Sequence, residues 1–121
     1  MVKAADSPYL CPVEATIDVV GGKWKSVILF HLLRSPGPIR FGEFRRLLPR
    51  VTQQMLTTQL RELEADGVIL RKVYAEVPPK VEYSLSDFGR TLHPIIEKML
   101  EWGQQYEARL AVRDSTQIRS G

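Results

Sequence analysis

Apolar residues along the chain fall into helical stripes over most of its length, with alternating runs confined to one stretch. Val13, Ile17 and Val20 repeat at helical spacing from Pro12, a residue suited to a first helical turn, and Gly21-Gly22 ends that segment. A second helix is expected from about Lys23 to Arg34, apolar on much of its surface through Trp24, Val27, Ile28, Leu29, Leu32 and Leu33, and so the most buried of the set. Ser35-Pro36-Gly37-Pro38 is a turn, Ile39-Arg40 a brief strand, and Phe41 to Leu48 a short helix stopped by Pro49. Thr52 is a natural N-cap for the next helix. There Met55, Leu56, Leu60 and Leu63 share one face, while Gln54, Thr57, Thr58 and Arg61 occupy the other. Gly67 closes it. Residues 68–75 and 81–85 then alternate as two strands around a Pro-Pro turn.

Ser86-Asp87 caps a last helix expected to reach Val112, about 40 Å long if continuous, with a kink or restart at Pro94. Its apolar set, Leu92, Ile95, Ile96, Met99, Leu100, Trp102, Tyr106 and Leu110, exceeds what one face needs against a small domain. Surplus apolar surface on a terminal helix favours a partner, here a second copy; folding back onto its own core is the plainer alternative. The expected organisation is a loose arm at 1–10, a domain at 11–112 that includes a dimerisation helix at 86–112, and a polar tail at 113–121. The order helix, helix, strand, helix, helix, strand, strand, helix is a mainly α winged helix-turn-helix with a small β-wing and a long C-terminal helix.

At 121 residues, with 44% apolar and 26% charged residues, the chain suits one soluble globular domain. No apolar run is long enough to cross a bilayer, so no membrane is expected, and the single cysteine excludes an intrachain disulfide, which fits a reducing cytoplasm. The net charge of +3 permits a polyanionic partner without requiring one. Its distribution is more informative. Eight basic residues face five acidic ones between Arg40 and Lys80, whereas acids lead four to three between Ser86 and Leu110. The middle of the chain is therefore the phosphate-facing candidate.

Gln53, Gln54, Thr57, Thr58 and Arg61, behind the Thr52 cap, supply what a major-groove reader needs: Gln for adenine, Arg for guanine, Thr for a base or a phosphate. Lys and Glu would serve a merely solvated helix better, and such a helix is the bland reading. Arg71, Lys72 and Lys80 mark the hairpin for phosphate or minor-groove contact, against the alternative of solubilising charge. Arg45, Arg46 and Arg50, with Arg40, flank the preceding helix, where backbone phosphates are met; pairing of one or two with Glu43 is the alternative. Cys11 precedes Pro12 at a helix start, where the dipole favours thiolate and Lys23 or Lys25 can assist; a small buried apolar residue is the other reading. His31 and His93 read as structural. With no HExxH, CxxC, GxSxG or P-loop pattern, no metal, cofactor or enzyme site is expected.

The pieces Cys11-Pro12-Val13-Glu14, Gly21-Gly22-Lys23-Trp24, Phe41-Gly42-Glu43-Phe44, Met55-Leu56, Leu60 to Gly67, Val81-Glu82-Tyr83-Ser84-Leu85 and Trp102-Gly103 together resemble the HxlR family of winged-helix transcriptional regulators, relatives of the MarR type. They cover roughly residues 10–105 in the family's order. The resemblance implies a homodimeric regulator of double-stranded DNA, with the last helix and the N-terminal segment in the dimer interface. It also implies a response to electrophiles, oxidants or aldehydes, in some members through an N-terminal cysteine. Gln54 departs from the basic residue often found before the Met-Leu pair, and Lys25-Ser26 is less usual after the tryptophan. The expected function is a repressor on a pseudo-palindromic operator, open to a small-molecule or electrophile effector. A winged helix that binds protein rather than DNA is the competing reading.

Overall fold

The computed structural model describes the backbone of residues 7–120 and the side chains of residues 7–113. Residues 1–6 of the expected arm lie outside that range; residues 7–10 form neither helix nor strand. The chain divides into two compact units, Met1–Arg90 and Thr91–Gly121.

The first unit opens with α1 (Pro12–Val20), whose proline occupies the first helical turn. α2 (Lys25–Arg34) starts two residues later than expected. It is followed by β1 (Ile39–Arg40), α3 (Phe41–Leu47), α4 (Gln53–Ala65), β2 (Ile69–Tyr74), β3 (Lys80–Leu85) and the single turn α5 (Asp87–Arg90). Thr52 caps α4 as the sequence predicts: its Oγ1 accepts the Met55 N–H at 3.1 Å. Gly67, at φ +77°, takes the left-handed conformation that ends the helix and turns the chain into β2.

The three strands form one antiparallel sheet in the order β1-β3-β2. The hairpin register sets Ile69 opposite Leu85, Arg71 opposite Tyr83, Lys72 opposite Glu82 and Tyr74 opposite Lys80. One sheet face thus carries Ile69, Arg71, Tyr83 and Leu85, and the other Lys72, Tyr74, Lys80 and Glu82. The core is built from Ile28 and Leu29 of α2, Phe44 of α3, Leu56, Leu60 and Leu63 of α4, and Val68 and Ile69 at the start of the hairpin, all at 1% exposure or less. α2 therefore shares with α4 the place of most buried helix. Trp24 is only half-buried, and its buried indole nitrogen has no partner among the described residues.

Met55 departs from the expected apolar face and is 42% exposed. The buried stripe of α4 is Leu56, Leu60 and Leu63, and Met55 lies 100° away from Leu56, past its edge.

Ser86 joins the hairpin to α5. Its hydroxyl donates to the Gly67 carbonyl at 2.6 Å and accepts the Gly89 N–H at 2.9 Å. Gly89 packs so closely on Val68 that a Cβ there would collide with the Val68 carbonyl oxygen.

The second unit is α6 (His93–Ser120). The sequence left open a kink or a restart at Pro94; the structure has a restart, with Pro94 the second residue of the new helix, where its missing N–H removes no helical bond. The helix continues to Ser120, past the Val112 end expected for it, because polar residues alone do not stop a helix. The side chains of the expected polar tail lie outside the described residues, apart from exposed Arg113.

Candidate nucleic-acid interface

Leu48 and Val51, 4% and 2% exposed, anchor the turn between α3 and α4. The turn is closed by the Val51 N–H donating to the Leu48 carbonyl at 3.1 Å. With its ends fixed, α4 shows Gln53, Gln54, Thr58 and Arg61 to solvent, with Thr57 half-buried beside them. The hydroxyls of Thr57 and Thr58 donate to the carbonyls of Gln53 and Gln54 at 2.9 and 3.0 Å. Arg45 of α3 donates to the Gln53 side-chain oxygen at 3.3 Å, which ties the two helices together on this face. The Gln54 side chain makes no hydrogen bond among the described residues.

Arg46 and Arg50 are exposed. Glu43 does not pair with these arginines. Its carboxylate accepts the backbone N–H of Arg40 at 3.2 Å and so serves the first turn of α3.

The wing holds its basic residues in two different ways. Arg71 points to the α4 side and bonds Glu64 at 3.1 Å. Lys72 and Lys80 lie on the other face, 4.8 and 4.5 Å from the centre of the Tyr74 ring. Lys80, expected from the sequence to meet a phosphate or a minor groove, is engaged within the wing. It is half-buried and bonds Glu82 at 3.0 Å, and Tyr74 donates to the same carboxylate at 3.4 Å. The Lys80 ammonium, foremost, holds the Glu82 carboxyl below its ordinary range. The tip itself presents Val77, fully exposed, beside Pro78 and Pro79.

Sequence reasoning missed Tyr83 and Glu64 here. A Tyr in an alternating strand reads as core, and only the register of Arg71 on Tyr83 brings a buried phenol to the basic side of α4.

Cys11 sits at the N-cap of α1, with extended backbone and an exposed side chain, which removes the buried-apolar reading within one chain. The lysines expected to assist it are engaged elsewhere. Lys25 binds the Asp18 carbonyl at 3.3 Å and Glu62 at 3.4 Å, and Lys23 lies over the Trp24 ring. Near the thiol, the Leu10 N–H donates to Glu14 at 2.9 Å. Leu10, Val13 and Ile17 form an exposed apolar stripe beside Cys11.

The eight residues expected at an interface, seven of them on α6, divide. Ile96 is 3% exposed and Leu92, Leu100 and Leu110 are half-buried. Ile95, Met99, Trp102 and Tyr106 are exposed, with the Trp102 and Tyr106 rings stacked 5.4 Å apart. His93 bonds Glu97 at 3.4 Å; burial pushes the His31 imidazole down. Among the described residues no group of three His, Cys, Asp or Glu could hold a metal ion, and no helix is long and apolar enough to cross a membrane.

The family model described as HxlR-like helix-turn-helix matches residues 19–111. The chain is 61% identical over 100 residues to the uncharacterized HTH-type transcriptional regulator YdeP of Bacillus subtilis strain 168, covering 83% of this chain and 77% of that protein. Among solved structures, the redox regulator HypR in its oxidized form aligns with a TM-score of 0.73 at 61% identity, over 78% of this chain and 96% of that one. Diamide-treated YodB from B. subtilis aligns at 0.65 and 34% identity, over 80% and 95%.

Proposed function

This chain belongs to the HxlR-like helix-turn-helix family of winged-helix transcriptional regulators, and on that premise we propose that it is a homodimeric repressor that reads a pseudo-palindromic operator with α4 and grips the flanking backbone with its wing. The observation that carries the reading is the exposed, uncharged-to-basic face of α4, with Gln53, Gln54, Thr58 and Arg61, set beside a basic hairpin. Gln pairs with base edges in the major groove, and Arg with a base edge or a phosphate. Arg45, Arg46, Arg50, Arg71, Lys72 and Lys80 supply positive charge for phosphates, which position the protein without specifying sequence. The exposed stripes of α1 and α6 support a second copy as the partner. Twofold symmetry then sets two reading helices about one DNA turn, ~34 Å, apart.

Selection from a random duplex library tests the reading. The parent protein should enrich a sequence with inverted half-sites and shift it in the presence of competitor DNA. Deleting the gene should raise expression from promoters that carry the sequence. A protein that enriches nothing, yet captures a protein partner, is a winged-helix interaction module instead.

Cys11 is proposed as the sensing residue. Its exposure at a helix start supports this, as do relatives described as a redox regulator and as diamide-treated. With one cysteine in the chain, oxidation leads to an intersubunit disulfide or a mixed disulfide with a small thiol, and an electrophile leads to an alkyl adduct. Each puts strain or bulk beside the Leu10, Val13 and Ile17 stripe. Diamide titration of operator binding should weaken the parent and leave Cys11→Ser unchanged; equal responses remove Cys11 from the mechanism.

A further inference from the structure

Between α4 and the wing lies a small cleft of about 180 Å³, lined by Thr57, Arg61 and Glu64 from the helix and by Arg71, Val81 and Tyr83 from the hairpin. Residues 57, 61 and 64 follow one another at helical spacing along the side of α4 that faces the hairpin. The strand register brings Arg71 and Tyr83 to meet them.

We propose that this cleft seats one backbone phosphate of bound DNA, held by Arg61, Arg71 and the Tyr83 hydroxyl, with Glu64 as the residue that positions Arg71. The inference rests on the DNA-binding reading and adds to it a phosphate contact and two residues, Tyr83 and Glu64.

Three observations converge. The first is Tyr83, which is 8% exposed and lines the cleft, yet whose hydroxyl has no hydrogen-bond partner among the described residues. An unpaired phenol hydroxyl at the wall of a cleft is available to donate to a ligand, and this one lies within the influence of the charges of Arg71, Glu64 and Arg61. Burial, foremost, pushes its ionisation up, so it stays an O–H donor. The second is charge: two guanidiniums and one carboxylate leave one positive charge in the cleft, which a phosphodiester monoanion complements. Glu64 bonds the Arg71 Nε at 3.1 Å and leaves its terminal nitrogens for a ligand. The third is the geometry of the duplex. A helix in the major groove and a hairpin in the adjacent minor groove must straddle the phosphodiester strand that divides the two, and the space between them is this cleft. Arg61, expected from sequence to read a base, is set against the wing and takes a phosphate instead.

The test uses the duplex enriched by the parent protein, with a neutral methylphosphonate placed at each backbone position of a half-site in turn. One position should weaken parent binding about tenfold or more. At that position Arg61→Ala/Arg71→Ala should be indifferent to the substitution, and its salt slope should be lower by about one ion per subunit. Tyr83→Phe keeps the ring that packs edge-on against Phe44, so it should fold as the parent does and bind every sequence about tenfold more weakly. Glu64→Gln should retain the phosphate contact with weaker dependence on Arg71.

Inorganic phosphate at matched ionic strength should compete no better than chloride. Competition that disappears in the double variant would make the cleft a site for a free anion and overturn the assignment. The assignment also falls if Arg61→Ala relaxes preference at a single base pair, or if Tyr83→Phe and the double variant bind as the parent does. A parent protein that enriches no sequence removes the DNA reading itself, and this inference with it.

Discussion

α4 and α6 are both amphipathic helices, but a single chain satisfies only one of them. In α4 the apolar stripe is three leucines, Leu56, Leu60 and Leu63, each 1% exposed or less, and every other position except Met55 is polar or small. In α6 there are two apolar stripes. Ile96, Leu100 and Leu110 are buried or half-buried, while Ile95, Met99, Trp102 and Tyr106 remain exposed at 39%, 44%, 65% and 47%. The second stripe repeats at intervals of four, three and four residues, the spacing of a seam between two helices. The contrast teaches that helical periodicity identifies a face without saying what covers it. For α4 the cover is the chain's own core. For α6 the cover proposed above is a second copy.

Charging the exposed stripe should break the contrast most severely. Met99→Glu/Trp102→Glu puts two carboxylates on that face and should cost about 5 kcal/mol of association, turning a dimer into a monomer at micromolar concentration. Sedimentation should read twice the 13.8 kDa chain mass for the parent and once for the variant. A parent that sediments as a monomer ends the dimer proposal. On α4 the effect moves from association to folding. Leu60→Ala empties a fully buried site and should cost about 2–5 kcal/mol of stability in a denaturant titration, at any protein concentration. The outward face of α4 should respond on neither axis. Gln54→Ala should fold and dimerise normally, yet lose about 1–3 kcal/mol of discrimination at one base pair of each half-site. Unchanged preference across operator variants would take Gln54 off the reading face.

The smallest effect is expected at His31. Burial lowers its ionisation below the ordinary 6.5, so the unfolded chain takes up the proton first as pH falls. Stability linked to His31 is thus complete above 6.5 and declines as pH drops through that value toward the lowered one in the folded chain. His31→Gln should flatten that part of the pH–stability curve, and a curve of unchanged slope would discount the histidine.

The element order was legible because each element carries a local stop or start: Pro12, Gly21-Gly22, Pro49, Thr52, Gly67 and Ser86 all mark boundaries that the structure respects. The end of α6 was not legible, since nothing between Val112 and Ser120 is a Pro or Gly that would terminate it. Site chemistry was legible as residue type on a helix face. It was not legible as pairing. That Lys80 is spent on Glu82 and Tyr74, or that Arg71 rather than Lys72 turns toward α4, depends on strand register, which the sequence alone leaves free.

The two threonine hydroxyls on α4 carry a consequence for what an operator would contain. Each has committed its single proton to a carbonyl one turn back. In the proposed complex Thr58, and Thr57 where it borders the wing, therefore offer oxygen lone pairs and a methyl group, and nothing to donate. Guanine, whose major-groove edge carries only acceptors, gains no bond from such a patch. The amino groups of adenine and cytosine do, and the thymine methyl finds an apolar neighbour. In the proposed complex, the helix backbone itself thereby helps to choose the letters beneath this face.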